Sequence, residues 1–548
     1  MSAPNSTNHW KTNLVLIAKN TYVWLHQLSQ KYGRPIATLG QIPIEELESL
    51  KNFGINGVWL IGIWQRSQAS KKIKSLYGFE KAAASAYSIT NYTISEALGG
   101  RNSFLKFHDN ARSIGLKIGC DIVANHTGLD SPWLIHHPEW YIHTENNPSP
   151  DFVFTSQDLS LDPGVEIRIE DGYYTQTGAS EVFYYKNTET EIEKFIYHGN
   201  DGTSMPWNDT AQLNYLIPEV RKAIRKTILD VAADFDIIRL DAAMTLTRQH
   251  FKRLWFPGDD GQRCIPTREI LRMSDAEFDQ LMPQEFWGQV MGDIQKYEPD
   301  TLLMAEAFWL MESYFIENIG MDRVYNSAFM NMMKDEDNQQ FNTFLGTMLN
   351  TEPNALEHLV NYLTTPDEDA AISLFGSGNK FFGVSCLLCT LPGLPMFGHG
   401  QIEGLFEKYG MDFLLPNQQE KPDSSLMEEQ RRLISPILHQ RQLFSSSENF
   451  TLHALKDRNN LAIDDVICYS NTYQHQSTLV LFNNSPKPHH GTIKLPNKLS
   501  LKECTLKNLF NKPNEAINLS IDSDSQKITI ELAPYASGVY LFEHIRAV

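Results

Sequence analysis

The sequence predicts an α/β fold: a (β/α)8 TIM barrel with an inserted subdomain after strand 3 and a C-terminal antiparallel β-sandwich domain. Three observations carry this expectation. Eight short apolar runs with strand character alternate with longer helix-like stretches. After the third run the alternation gives way to a segment rich in Pro, Gly, Asp, Asn and aromatic residues. Near the C-terminus the pattern changes to apolar–polar alternation with period two.

The eight runs are TYVWL at 21–25, NGVWLIGI at 56–63, LKIGCDIVA at 116–124, FDIIRLDA at 235–242, TLLMAEAF at 301–308, RVYNSAF at 323–329, LVNYLTT at 359–365 and LPMFGHG at 394–400. They are nearly continuous in apolar residues, as strands covered on both faces should be. Between them, IPIEELESLKNFG and NSFLKFHDNARSIG repeat apolar residues at three-to-four spacing and carry a Gly near the end. Those features predict amphipathic helices with C-terminal stops. Residues 1–126 and 216–445 are assigned to the barrel. Residues 127–215 contain DFVFT, EVFYYK and KFIYHG; a loop of that length without structure is improbable in a compact domain, so they are assigned to a small inserted domain. Residues 446–548, with DVICYSN, STLVLFNNS, GTIKLP, KITIEL and GVYLFEH, are assigned to the β-sandwich.

Composition narrows the function classes. The chain has 548 residues, enough to bury a core without disulfide or metal staples. A balance of 47 Lys+Arg against 66 Asp+Glu leaves a net charge of −19, which disfavours nucleic acids and anionic membranes as partners. The cysteines are scattered; Cys386 and Cys389 form a C-x-x-C, but inside the apolar run GVSCLLCTLPG, and they are expected to be buried thiols. This usage fits a reducing compartment. The run Leu14 to Ala18 is too short for a signal-peptide core, and no stretch reaches the roughly 18 apolar residues of a membrane helix. A cytoplasmic protein is the expectation.

Active sites of such barrels lie at the C-terminal ends of the strands. Polar residues close several of the runs there. Asp121, Asn125 and His126 close or follow the third, Arg239 and Asp241 the fourth, and Glu306 the fifth; Asp367 follows the seventh. Glycoside hydrolysis needs such a set. One carboxylate attacks the anomeric carbon, and a second, kept protonated, donates to the leaving oxygen.

In order and spacing these segments resemble the α-amylase family of glycoside hydrolases (family 13). DIVANH resembles its D-V-V-x-N-H motif, FDIIRLDAA its G-x-R-x-D-A motif and MAEAFW its short Glu motif. WNDTAQLNY at 207–215 and SAYSITNY at 85–92 resemble two further family segments. The resemblance covers most of the chain and implies a set of roles. Asp241 is the expected nucleophile and Glu306 the general acid and base. Arg239 orients and charge-stabilises Asp241, and Asp367 grips sugar hydroxyls. His126 bonds a hydroxyl of the same sugar, Tyr87 stacks on it, and Asp121 supports the strand ends from behind. The α configuration is retained, with the Asp241 and Glu306 carboxyls about 5–5.5 Å apart. Asn125 resembles a ligand of the structural Ca2+ found in many relatives and is the candidate metal ligand; no cofactor is otherwise required. The segment LPGLPMFGHGQIEG at 391–404 shapes the pocket floor in the family, which makes His399 and Glu403 candidates for substrate contact. Trp64, Trp133, Trp140, Trp207 and Trp309 are candidate sugar-stacking faces, against the alternative that large aromatics pack in the core.

Two departures from the family pattern stand out. Pro366 occupies the place of the histidine in the fourth motif, so one hydrogen bond to the bound sugar is missing or supplied elsewhere. Met244 and Thr245 stand near where many members carry a lysine and a histidine on the acceptor side. The implied function is a retaining glycoside hydrolase acting on α-glucosidic bonds of an α-1,4-glucan or malto-oligosaccharide. The alternatives are a transglycosylase or phosphorylase on α-glucosides, which shares the covalent intermediate, and a carbohydrate-binding relative with little or no turnover. Oligosaccharide or glucan is the expected partner; the oligomeric state is not legible in the sequence.

Overall fold

The computed structural model describes residues 9–78, 83–178, 180–203, 205–258, 264–308, 311–496, 501, 504–511 and 515–544. Eight parallel strands close into a barrel in chain order: β1 (Leu16–Asn20), β2 (Gly57–Ile61), β3 (Lys117–Ile122), β4 (Ile237–Leu240), β5 (Leu302–Ala305), β6 (Arg323–Tyr325), β7 (Leu359–Tyr362) and β8 (Leu394–Phe397). Helices on the outside cover them. The helix Pro218–Ala232 shows the logic: Pro218 at its first turn presets φ, and Val220, Ile224, Ile228 and Val231 line one buried stripe. Helices over Ile44–Phe53 and Gly100–Ser113 stand where the apolar spacing placed them; the first stops at Gly54, φ +111°.

The first strand lies elsewhere than expected. TYVWL is the start of a helix, Thr21–Tyr32, and β1 is the preceding LIAKN. The run 21–25 is β-branched and aromatic, which suits a strand locally. However, the side chain of Asn20 accepts the Val23 N–H as an N-cap, and Val23, Trp24, Leu25 and Leu28 of the helix are buried, Val23 against Leu405 and Tyr409 and the others in the barrel core. What disguised β1 is Lys19, a charged residue that is fully buried because its ammonium pairs with Glu403 at 2.9 Å. The barrel seam between β1 and β8 has two register pairs, Leu16 with Met396 and Ile17 with Phe397, and this ion pair lies just beyond them. RVYNSAF is also shorter as a strand than its pattern, because Asn326 caps a helix from Ser327.

Between β3 and β4 stands a four-stranded antiparallel sheet made of His143–Thr144, Glu193–Tyr197, Val182–Asn187 and Val165–Ile169, in that order. DFVFT is irregular, not a strand. The Asp171 carboxylate accepts the backbone N–H groups of Thr155 and Ser156, which takes donors a ladder would need. A short antiparallel pair, His126–Gly128 with Thr210–Gln212, ties the two ends of the insert together beside the barrel mouth.

At the C-terminal end, five strands (Thr451–Leu452, Val466–Tyr473, Gln476–Asn483, Ser537–His544, Cys504–Asn508) face three (His489–Lys494, Lys527–Leu532, Ile517–Asp522). Period two divides the work. Val466, Cys468, Leu479 and Leu481 fill the core of the sandwich with Ile528 and Ile530, while Ile467, Tyr469, Val480 and Phe482 join the barrel core. The barrel helix Asn379–Thr390 takes that second face, and Cys386 and Cys389 are buried on it as thiols. No helix among the described residues is long and apolar enough to cross a membrane.

Gly383 marks the closest approach of that helix to the sandwich: a Cβ there would lie 2.0 Å from the Phe482 ring. Gly383→Ala is therefore expected to destabilise the protein by about 1–3 kcal/mol through overpacking. Denaturant unfolding of the variant with an unchanged midpoint would show that the barrel and sandwich do not pack as described.

Candidate active site

Register brings the site together. Arg239 on β4 stands opposite Asp121 on β3 and Met304 on β5. Asp241 and Glu306 each follow the end of a strand, and the barrel ladder continues through them: the Asp241 N–H donates to the Ile122 carbonyl and the Glu306 N–H to the Leu240 carbonyl. Three carboxylates converge on one buried guanidinium. Arg239 Nη1 donates to Asp241 Oδ1 at 2.6 Å and to Asp121 Oδ1 at 3.2 Å. Its Nη2 reaches Glu306 Oε1 at 2.7 Å.

The backbone helps to set this geometry. Ala242, directly after Asp241, has φ +43°, a left-handed conformation that costs a non-glycine residue of the order of 1 kcal/mol or more. The turn aims the Ala242 N–H at Glu306 Oε2, 2.8 Å away. One carboxylate oxygen of Glu306 is thus held by the guanidinium and the other by the backbone.

Burial and mutual repulsion decide the charges. Burial pushes the Glu306 carboxyl up to about 7; Arg239 opposes this, and Asp241 and Asp367 add to it. Burial likewise raises Asp121 to about 7 against the pull of Arg239 and the Trp59 indole N–H. Burial disfavours a charge on Arg239, yet Glu306, Tyr87, Tyr325 and Asp241 together raise its pKa well above the ordinary value. The set can therefore hold a proton on a carboxyl near neutral pH while keeping its cation.

The other expected residues fall into three groups. Tyr87 stands in the cluster, its ring 5.1 Å from the guanidinium and its buried hydroxyl without a hydrogen-bond partner among the described residues. His126 is also there, tilted on Trp207 at 5.1 Å, but Nε2 is 3.2 Å from the Tyr87 carbonyl and Asn125 Nδ2 is 3.4 Å from Nδ1. Its ring is turned to protein groups, and burial lowers its pKa while Asp241 and Asp209 oppose this. Asp367 lies exposed on the loop after β7, where Thr365 Oγ1 accepts its N–H and Lys408 Nζ donates to its carbonyl at 2.6 Å. Partial desolvation of the carboxyl by the surrounding protein raises its pKa, although the residue as a whole is exposed; Arg239 and Lys408 oppose this and Asp241 adds to it.

Two expectations are corrected. His399 has no free ring nitrogen: Nδ1 accepts the Asn20 N–H at 3.0 Å and Nε2 bonds Gln27 Oε1 at 2.8 Å, so the ring ties β8 to β1. Glu403 likewise faces Lys19. Asn125, the candidate metal ligand, has its amide in a reciprocal pair with the Gln212 amide, 3.0 Å in each direction. Among the described residues no group of three or more His, Cys, Asp or Glu side chains is placed to hold a metal ion.

Of the tryptophans, Trp64 is buried and donates to the Asp121 carbonyl at 2.7 Å, so it supports the site from behind. Trp133 and Trp140 meet edge to face on the insert, 5.4 Å apart. Trp309 lies outside the described residues. Met244 and Thr245 are buried in a short turn. Two residues escaped the reading of strand ends for acids. Tyr325 closes β6 with its ring 5.8 Å from the guanidinium, and Trp59 on β2 faces Arg239 at 5.3 Å while donating to Asp121 Oδ2. The one signal for them was an aromatic within a buried strand run, which core packing explains equally well.

A family model for the alpha amylase catalytic domain matches residues 38–432. The curated relative "Alpha-amylase 3" of Dictyoglomus thermophilum is 22% identical over 393 residues, which is 70% of this chain; the chain spans 63% of that relative's length. Among solved structures, a maltogenic alpha-amylase from Thermotoga neapolitana superposes with a TM-score of 0.64 at 16% identity, covering 97% of this chain and 99% of the other. The Nostoc punctiforme debranching enzyme in its native form also gives 0.64, at 15% identity over 97% and 98%. At these identities the structural likeness establishes the fold.

The raised carboxyl of Asp121 makes stability pH-dependent. A group whose folded pKa exceeds its unfolded value of about 4 contributes stability that is present at lower pH and is lost as pH rises towards about 7. Asp121→Asn removes that dependence. The unfolding free energy of the variant relative to the parent is expected to rise from pH 4.5 to pH 7.5 in denaturant titrations; a constant difference would contradict the protonation assigned to Asp121.

Proposed function

The chain belongs to the α-amylase catalytic-domain family, and from that premise we propose that it is a retaining glycoside hydrolase of α-glucosidic bonds, of the α-1,4-glucan or malto-oligosaccharide type. The observation that carries the reading is the guanidinium of Arg239 shared between Asp241 and Glu306, at 2.6 and 2.7 Å. Two carboxyls of different environment on neighbouring strands are what a double displacement requires.

The steps follow from the residues. The Asp241 carboxylate attacks the anomeric carbon as the glycosidic bond breaks, and Glu306 gives its proton to the departing oxygen. The glycosyl group then rests on Asp241 as an ester. Glu306, now a carboxylate, takes a proton from water; the water oxygen attacks the same carbon and Asp241 leaves. Two inversions return the α configuration. Tyr87 offers its ring and its hydroxyl to the sugar, and His126 Nε2, 3.2 Å from the Tyr87 carbonyl, holds the backbone of Tyr87. Asp367 accepts sugar hydroxyls at the rim. If a sugar takes the place of water, the same intermediate leads to transfer.

Glu306 acts as acid while protonated, so its contribution is full below its pKa and activity falls as pH rises through about 7. Glu306→Gln is expected to lower kcat by about 10²–10⁴-fold and to remove that alkaline limb. Maltoheptaose followed by NMR tests the whole reading: α-anomer products appear first with the parent protein and are absent with Asp241→Asn. Early β-anomer products, or turnover by Asp241→Asn equal to the parent, would refute it.

A further inference from the structure

On the outside of the barrel a groove of about 850 Å3 runs between the helices Thr21–Tyr32 and Ile44–Phe53 and the segment 402–435, and none of the catalytic carboxyls lines it. Its floor is apolar, made of Trp24, Leu28, Leu50, Phe53, Ile402 and Met427. Its two walls differ in sign. Glu45 and Glu48 stand exposed on the helix Ile44–Phe53, and Lys421 and Arg431 stand exposed on the facing segment. Among the described residues Glu45, Glu48 and Lys421 have no ion-pair partner, and Arg431 reaches only Glu428, at 3.9 Å. A partner of a single sign would be repelled by one wall.

Beside this groove the chain holds apolar side chains in water. Phe406 is 61% exposed, Leu414 39% and Leu415 59%, all on the loop 406–415. The loop is firmly tied. The Glu420 carboxylate accepts the N–H groups of Phe406 and Glu407, and the Glu407 carboxylate accepts those of Asn417 and Gln418. Leu405 and Glu420 line the groove, so the loop rises from its lip. Two carboxylates thus fix an apolar projection in place, which spares the ordering cost of binding. Exposed apolar side chains gathered on one ordered segment mark an interaction surface.

A projection and a groove on one face, the groove with walls of opposite sign, complement a copy of themselves. We propose that the groove receives the loop 406–415 of a second copy of this chain, with a two-fold axis placing each loop in the other copy's groove. Such a contact is closed, because each patch is used once. Phe406 is its aromatic anchor over the apolar floor. The two-fold sets the acidic wall of one copy against the basic wall of the other, with Glu48 facing Arg431 of the partner subunit. No sugar-facing residue takes part, so the inference stands apart from the α-glucan reading.

Sedimentation velocity of the full chain from about 1 to 100 µM tests it. The parent is expected to sediment as a dimer at the upper concentration. Phe406→Asp and Leu415→Asp place a charge where the side chain would be buried, and each is expected to raise the dimer dissociation constant by about tenfold or more. Both positions are exposed in the single chain; far-UV circular dichroism equal to that of the parent shows that these variants report on association and not on folding. Glu48→Arg and Arg431→Glu are each expected to weaken the dimer by about tenfold, and the double variant to return within about threefold of the parent. A parent that stays monomeric at about 100 µM overturns the proposal, whatever else the groove holds. So does a dimer that Phe406→Asp and Leu415→Asp leave as tight as the parent. A double variant no tighter than its singles overturns the meeting of the walls, and the two-fold arrangement with it.

Discussion

One buried cation organises the mouth of this barrel. Arg239 is almost wholly removed from water and has three carboxyl groups within contact distance. An unpaired guanidinium at such a depth would cost several kcal/mol, so its neighbours are not free to move away. The converse also holds: one positive charge cannot balance three negative ones in a medium of low dielectric. Burial raises Glu306 and Asp121, each to about 7, so the carboxyls around the one cation are shifted towards their neutral forms. The aromatic rings of Trp59, Tyr87 and Tyr325 complete the enclosure with their faces near the cation.

How far the sequence foretells this molecule depends on which interactions are local. Strands β2 to β5, β7 and β8 show as apolar runs because both of their faces are covered, and the acids at their ends show because polar residues interrupt those runs. The β1 strand was hidden by Lys19, whose partner Glu403 is distant in the chain; no local pattern tells a buried, paired lysine from a solvated one. TYVWL misled for the complementary reason: its helix is fixed by the Asn20 cap and by packing against the barrel, against its own β preference. At the site the same division holds. Asp241, Glu306, Arg239 and Asp121 are legible from strand register. The roles of His399 and Asn125 turn on Gln27 and Gln212, which no motif spacing links to them. Tyr325 and Trp59 sit where a core aromatic and a site aromatic have the same sequence signature.

The parts outside the barrel are tied to it in different ways. The sandwich presents alternate side chains of the same strands to its own core and to the helix Asn379–Thr390, so one strand serves two interiors. The insert is tied at its neck by a ladder three residues long, with His126 and Gln212 paired in it. That neck adjoins Tyr87 and so couples the position of the insert to the ring that stands by Arg239.

The seam between the first and last strands has a bearing on synthesis. Lys19 and Glu403 are 384 residues apart, so the open edge of β1 waits for nearly the whole barrel to leave the ribosome before it is paired. An open apolar edge is an invitation to pair with another chain, and an inward-pointing lysine is among the devices that discourage it. While β8 is missing, burying Lys19 against a foreign strand would strand its charge without a counter-ion. Once Glu403 arrives, the same charge becomes part of the closure. The residue that most obscures β1 as a strand thus also acts as a guard on the nascent edge until its own partner has been made.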